Sequence, residues 1–403
     1  MEPLLEGVKV VELAEWVFVP ATAAVLRDWG ADVVKVEHPE RGDSMRGILS
    51  VIKQTGADTG DFNYLVEQSN RGKRSVGLDL REDDGRALFL RLVEQADVFV
   101  TSLLEPSRRR LGITYEDLSA INPRLVYARG HGFGQKGPDA ESGAIDAVAF
   151  WARGGVASVF TEPGRPLMGQ RQAFGDYTSA MFLAGGIAAA LFRRSVSGKG
   201  GLVDVSLFGA ATWMLSPDIL ASHYSGVVPN MGGSTTTAPM NPLTAHYRTS
   251  DDRIIILGMI QPDPHWSAMC EVLELGDDVE QTYDSFDKRQ HDENVWRLFE
   301  RTFAAKPLAH WRARFEGSGC VWMVVQTPPE VPDDPQAVAN GYVPAHPTIP
   351  RARLVASPVQ YNDSPVDIRA GAPELGQHTE EVLLELGLEW PQIVALKERS
   401  IIT

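Results

Sequence analysis

Strand-like and helix-like segments alternate through the first 130 residues, and no other feature narrows the choice of fold as far. Val8–Leu13 (VKVVEL) is a short buried-strand run, and Asp32–Glu37 (DVVKVE) is a second. Between them, Ala21–Trp29 reads as a helix with Pro20 in its first turn. Arg74–Leu80, Asp97–Thr101 and Arg124–Ala128 supply three further strands. Asp83–Ala96 is an amphipathic helix, with Leu88/Leu92 and Phe89/Val93 spaced four apart. Apolar strand, helix and strand in this order build βαβ units and a mainly parallel sheet.

The pattern changes further along. A long helix over about Tyr177–Arg194 leads through a Gly-rich turn (Gly198–Gly201) into a strand at Leu202–Leu207. Gly226–Pro242 is rich in Gly, Thr, Pro and Asn and reads as a loop. Tyr247–Ile260 reads as a hairpin turning at Asp251-Asp252, followed by a mostly helical stretch to about Gly317. The chain of 403 residues exceeds one ordinary core. The expected fold class is α/β: a Rossmann-like large domain (1–205 and 345–403) and a smaller inserted α+β domain (230–330). The connectors are 206–229 and 331–344.

Charge and cysteine usage exclude several functions. With 38 basic and 53 acidic residues the formal charge is −15, which argues against nucleic acid or an anionic membrane as partner. The longest apolar stretch, Ala180–Phe192, is too short to cross a bilayer. Met1-Glu2-Pro3 leads straight into a strand-like run without a leader pattern. Cys270 and Cys320 belong to no motif, so neither a disulfide framework nor a cysteine metal site is expected, and a reducing cytoplasm fits. No metal is expected.

Open parallel sheets bind ligands beyond the carboxyl ends of their strands. Here those ends carry Glu15, Trp16, Val17 and Phe18; Glu37-His38; Asp79-Leu80-Arg81; Thr101, Ser102 and Leu103; and Arg129 through Gly134. Arg108-Arg109-Arg110 follows the fourth strand, and Arg71-Gly72-Lys73-Arg74 adds three more cations. Arginines for phosphate and aromatic faces for a base suit a nucleotide with several phosphates. The turn after the first strand, Ala14-Glu15-Trp16-Val17, has no glycine, which excludes a GxGxxG dinucleotide site.

Phe174-Gly175-Asp176-Tyr177 stands just before the long apolar helix. Asp176 is an N-cap candidate by position. The same position suits a nucleophile, because the positive helix end favours an ionised carboxylate. Gly175 would let a bulky electrophile approach. An ionised carboxylate in a partly dry pocket attacks a thioester to form a mixed anhydride. HExxH, CxxC and GxSxG are all absent, and the nine histidines are scattered.

Taken in order, LEGVKVVEL, WGADVVKVEHPERGDSMR, NRGKRSVGLDL, ADVFVTSL, RRLGITYEDL, NPRLVYARGHGFGQKGP, the Gly175-Asp176 pair, SGKGGLVDVSLF and APELGQHTEEVLLELGL resemble the class III CoA-transferases nearly end to end. That family includes formyl-CoA and carnitine CoA-transferases and the α-methylacyl-CoA racemases. The resemblance implies Asp176 as the catalytic carboxylate and acyl-CoA as co-substrate. It implies CoA contacts at Val17, Phe18, His38, Leu78, Arg81, Ser102, Leu103 and Arg110. It also implies an interlinked homodimer. Some members close a Gly-rich loop over the intermediate, and Gly232-Gly233 sits at a similar place.

Two departures matter. His38 stands where the family often has Arg. The racemase branch has His before the Asp of a GHD motif, whereas this chain reads Gly143-Ala144-Ile145-Asp146. Ile145 therefore favours a transferase over a 2-methylacyl-CoA epimerase. A non-catalytic acyl-CoA-binding protein is the other alternative, and the intact Gly175-Asp176 pair weighs against it. Trp16, Phe18 and Trp151 are candidates for an apolar acyl pocket. The sequence does not name the donor and acceptor acids.

Overall fold

The computed structural model describes residues 3–49, 56, 58–162, 164–229 and 238–403. Gly232-Gly233 falls outside these residues. The chain folds into two compact units, Met1–His223 with Pro332–Thr403, and Tyr224–Val331.

The first unit is built on six parallel strands: β1 (Lys9–Leu13), β2 (Asp32–Glu37), β3 (Arg74–Gly77), β4 (Val98–Thr101), β5 (Val126–His131) and β6 (Gly201–Ser206). Their spatial order is β3-β2-β1-β4-β5-β6. The order reverses between β1 and β4, so the switch point lies at the carboxyl ends of those two strands. Side chains alternate between two cores, as strand geometry requires. Val10, Val33, Val98 and Val126 enter one core, and Val11, Val34, Phe99 and Tyr127 enter the other.

The connecting helices in this unit are α1 (Phe18–Asp28), α2 (Tyr64–Asn70), α3 (Asp83–Glu94), α4 (Glu105–Leu111), α5 (Tyr115–Ile121), α6 (Val156–Phe160), α7 (Phe174–Ser197), α8 (Leu207–Met214) and α9 (Ser216–Ser225). A π-helical segment, Ala147–Arg153, precedes α6. Helices α1 and α7 pack against each other, and their buried residues belong to the same core. Residues near the C-terminus return to the opposite core, where Val382, Leu383, Ile393 and Ile402 are buried, and Leu78 bridges to Ile402.

The stretch 206–229, read from sequence as a connector, carries α8 and α9 instead. Ser206 caps α8 through Gly209 N at 2.9 Å, and Leu207, Ala210 and Ala211 form its buried stripe. The glycine-rich composition that signals a loop begins only at Gly226. The second unit holds the expected hairpin, β7 (His246–Arg248) and β8 (Ile254–Leu257), extended by β9 (Trp322–Val324) in an antiparallel sheet. Its core centres on Tyr247, Phe299, Phe303 and Trp311. No described helix is long and apolar enough to cross a membrane.

Candidate active site

The exit from β1 is held by a buried ionic cluster. Glu12 and Lys35 are register partners on β1 and β2, and neither side chain is exposed. Lys35 Nζ donates to Glu12 Oε1 (2.7 Å), Ala14 O (2.9 Å) and Asp43 Oδ2 (2.8 Å). Lys73 Nζ completes the cluster at 2.5 Å from Glu12 Oε2. Burial pulls the Lys35 ammonium down, but Asp43 and Glu12 hold it above its ordinary value. Burial lowers Lys73 to about 7. The second Asp43 oxygen accepts from Trp16 N (3.0 Å) and Met45 N (2.9 Å). Trp16 is thereby fixed in the left-handed region, at φ 72°, with its side chain about half exposed. Ser102 Oγ, beyond β4, accepts from Glu15 N at 3.0 Å and so pins the same turn across the switch point.

Around this edge the polar residues differ in availability. His38 Nδ1 accepts from the main-chain N–H groups of Glu40 (3.2 Å) and Arg41 (3.4 Å). The single proton of the neutral ring therefore sits on Nε2, 3.1 Å from Arg81 Nη2. Both groups face the Asp79 carboxylate, whose Oδ2 lies 2.6 Å from Arg81 Nη2 and 3.9 Å from His38 Nε2. Burial and the neighbouring Arg41 lower the His38 pKa. Arg81 is exposed and also pairs with Asp79 at 2.6 Å. Arg110 is exposed, and no side-chain partner is recorded for it among the described residues. Leu103 is partly buried, and its carbonyl accepts from Arg108 Nη1 at 2.6 Å. Val17, Phe18 and Leu78 are buried, so a ligand would meet their main chain.

Other cations of the sequence-based cluster are committed elsewhere. Arg129 is paired with Asp204 at 2.5 Å, and Arg108 is buried against Glu105. Arg71-Gly72-Lys73-Arg74 leads into the amino end of β3, the opposite edge of the sheet. Arg71 pairs with Asp28, and Arg74 with Asp32, Glu381 and Glu385.

Asp176 lies in the first turn of α7 and is partly buried. It is not the N-cap. That position is Ala173, at φ 55° with no side-chain cap. Asp146, at the start of the π-helical segment, supplies the missing acceptor: its Oδ2 takes the Gly175 N–H at 3.0 Å. The Gly175 glycine is required by packing rather than by an approaching electrophile. A Cβ there would lie 2.3 Å from both Asp146 Oδ1 and Phe150 Cγ. The helix end favours an ionised carboxylate at Asp176, and burial acts in the opposite direction. Burial, and then the charge of Asp146, raise the Asp176 pKa to about 8.

Apolar surface surrounds this turn. Ile145 is 59% exposed, and Val148 and Phe174 are about half exposed. Trp151 is largely buried, stacks on Phe160 and donates from Nε1 to Met168 O at 3.2 Å. Of the three aromatic pocket candidates, Trp16 alone presents substantial surface.

Residues 5–379 match the family model described as CoA-transferase family III. The chain belongs to this family. Among its relatives, the (R)-2-hydroxy-4-methylpentanoate CoA-transferase of Clostridioides difficile is 31% identical over 99% of both chains. The cinnamoyl-CoA:phenyllactate CoA-transferase of Clostridium sporogenes is 29% identical over 98% of this chain and 96% of its own. Human alpha-methylacyl-CoA racemase is 29% identical over 99% of this chain and 97% of its own. The crystal structure of a CAIB/BAIF family protein from Brucella suis is 27% identical and superposes with a TM-score of 0.80, covering 96% of this chain and all of that one.

Sequence reasoning about this CoA-transferase-family chain missed two features. Glu12 and Lys35 carried a usable signal, opposite charges inside apolar strands at matching positions. Asp146 carried none beyond its place beside Ile145. Its bond to a turn 29 residues downstream exists only in three dimensions.

Proposed function

We propose that this protein transfers coenzyme A from an acyl-CoA donor to a carboxylic acid acceptor, with Asp176 as the covalent nucleophile. The observation that carries the reading is a partly buried carboxylate in the first turn of α7, edged by exposed apolar side chains. An Asp176 oxygen attacks the thioester carbonyl; the C–S bond breaks and a mixed anhydride forms. The released thiolate attacks the Asp176 carbonyl, expelling the donor acid and leaving an aspartyl-CoA thioester. The acceptor carboxylate attacks that thioester, giving a second anhydride and free thiolate. Attack of the thiolate on the acceptor's carbonyl yields the new acyl-CoA and restores Asp176. Each step is an exchange of acyl bonds with no change of oxidation state, so the cycle consumes no net proton and needs no redox partner.

Coenzyme A contacts at His38, Arg81, Ser102, Leu103 and Arg110, with main-chain contacts at Val17, Phe18 and Leu78, fit this reading. The exposed guanidinium groups of Arg81, which shares its charge with Asp79, and of Arg110 suit phosphates. We take the working form to be an interlinked homodimer with a large and a small domain. A cytoplasmic setting fits the two unpaired thiols, Cys270 and Cys320.

The test is capture of the intermediate. The protein is incubated with a panel of acyl-CoAs, quenched with hydroxylamine or borohydride, and the modified peptide is mapped. Label on Asp176, lost together with transfer in Asp176→Ala while CoA binding persists, is the expected result. Label on another residue refutes the assignment. The epimerase reading has its own readout, exchange of the α-proton with solvent in the absence of acceptor acid. Ile145 has no titratable group with which to support it.

A further inference from the structure

Helices α1 and α7 pack together, α1 starting at the turn that follows β1 and α7 starting at Asp176. One turn further along both helices the packing gives way to a cavity of about 510 Å³ within the first unit. Ala21 and Val25 of α1, Leu65 of α2, Ala180 and Met181 of α7, and Leu354 line it. At 1.5 Å per residue, Ala21 lies about 4.5 Å beyond Phe18 along its helix axis, and Ala180 about 6 Å beyond Asp176. Tyr177, the residue after Asp176, is also on the wall. Close-packed interiors leave few voids of this size, which is that of a small-molecule pocket.

The outer wall is the returning segment 353–358, and it is pinned in place. Gln68 Nε2 donates to Val355 O (2.7 Å), Val355 N donates back to Gln68 Oε1 (3.0 Å), and Ser357 N donates to Asp28 Oδ2 (3.0 Å). Tyr64 donates its hydroxyl to Gln172 Oε1, which ties α2 to the segment leading into α7. The charged and hydroxyl groups of the wall are largely engaged in the same way. Arg71 pairs with Asp28, Arg353 faces Asp333 at 3.5 Å, and the Tyr177 hydroxyl lies 3.3 Å from Ser69 Oγ. Ser357 Oγ is the one wall atom buried without a partner among the described residues. Both arginines of the wall already face carboxylates, so a second anionic group on a ligand would find no free cation there. A hydrocarbon chain would gain by leaving water for this lining.

We propose that this cavity between α1, α2, α7 and the returning segment holds the hydrocarbon end of the acyl group, so that the substrates are CoA thioesters of apolar monocarboxylic acids. The proposal rests on the transfer reading for one point, the placement of the thioester carbonyl at Asp176. From there the chain runs down the groove between α1 and α7 and enters the cavity after about one helical turn. Short acyl groups stop above it and leave it empty. Longer ones fill it, and Met181 and Leu65 set how much chain it accepts.

The test is calorimetric binding of acetyl-, butyryl-, hexanoyl- and octanoyl-CoA to the full chain carrying Asp176→Asn, which lacks the nucleophile and so binds without turnover. The dissociation constant is expected to fall by about tenfold or more from acetyl- to octanoyl-CoA. Adipoyl-CoA matches hexanoyl-CoA in length but ends in a carboxylate, and it should bind about tenfold more weakly than hexanoyl-CoA or worse. Met181→Trp, added to the same chain, fills the cavity and should abolish the preference for octanoyl- over acetyl-CoA. Leu65→Ala enlarges the cavity and should move the preference to decanoyl-CoA, which keeps the test decisive where Met181→Trp does not fold. An affinity independent of chain length, which a cavity filled by a second subunit would also give, overturns the proposal. So does a preference untouched by both substitutions, or adipoyl-CoA binding as tightly as hexanoyl-CoA. Failure to capture any acyl group on Asp176 in the wild type would remove the transfer reading, while this binding series, which needs no turnover, would stand or fall by itself.

Discussion

Asp176 is placed at a cost to the fold. In the native chain its pKa is about 8, against 3.8 for an ordinary aspartate. The folded state therefore binds this proton more tightly than the unfolded state. Stability from this group is full at pH values below about 4, falls as pH rises through the window to about 8, and is absent above it. Asp176→Asn removes the ionisation without changing the shape. The variant is expected to be more stable than the wild type at pH 8, by on the order of 1–3 kcal/mol once the partial exposure of the carboxylate is allowed for, and to match it near pH 4. Urea unfolding at both pH values measures this. Equal stabilities at pH 8 would mean that Asp176 is comfortably ionised in the native chain. A group that weakens the fold while inactive variants strengthen it is the usual mark of a functional residue.

At the scale of elements, the cluster of Glu12, Lys35, Asp43 and Lys73 ties two strands to the turn that presents Trp16. It joins charges that no water reaches, so removing one member leaves the others uncompensated. Lys35→Met leaves Glu12 and Asp43 buried with only Lys73 to share. A loss of about 3–5 kcal/mol in urea unfolding is expected, with Trp16 fluorescence shifted by release of the turn. A change below about 1 kcal/mol would show that water or rearrangement relieves the cluster. These elements also show what is readable in a sequence. Val10/Val11 and Val98/Phe99 announce strands buried on both faces, because each is apolar at successive positions, and Leu88/Leu92 announces an amphipathic helix. The position of Asp176 is legible from the helix it opens. Its protonation is not, because that depends on Asp146 and on burial supplied by separate segments. Arg71 and Arg74 misled for the same reason. Charge is visible in a sequence, but the edge of the sheet it reaches and the carboxylates it meets are set by topology.

On the scale of the whole molecule, a charge of −15 and an anionic co-substrate pull in opposite directions. If CoA binds where proposed above, the cations Arg81 and Arg110 have to outweigh a repulsive global field, and binding is expected to gain from moderate screening that shortens the reach of distant carboxylates. Assembly adds a second constraint. Three successive helices of the first unit leave large apolar side chains in water: Phe192 and Val196 on α7, Trp213 on α8 and Leu220 on α9, each about 70% exposed. Isolated apolar side chains are normal on a surface, but larger apolar patches mark interaction sites, and in the dimer proposed above the partner subunit would cover these residues. For the interlinked dimer proposed above, the native mass by light scattering is expected to be twice the 44.1 kDa of the chain. Trp213→Asp combined with Leu220→Asp places two charges where apolar surface should be buried, and each unpaired buried charge is strongly unfavourable. The double variant should lose the dimer peak, and transfer activity with it, if subunits must wrap around one another to complete their sites. A wild type that elutes at the mass of a single chain, or a double variant that keeps the dimer, would assign this apolar face to some other partner and leave the site to be completed within one subunit.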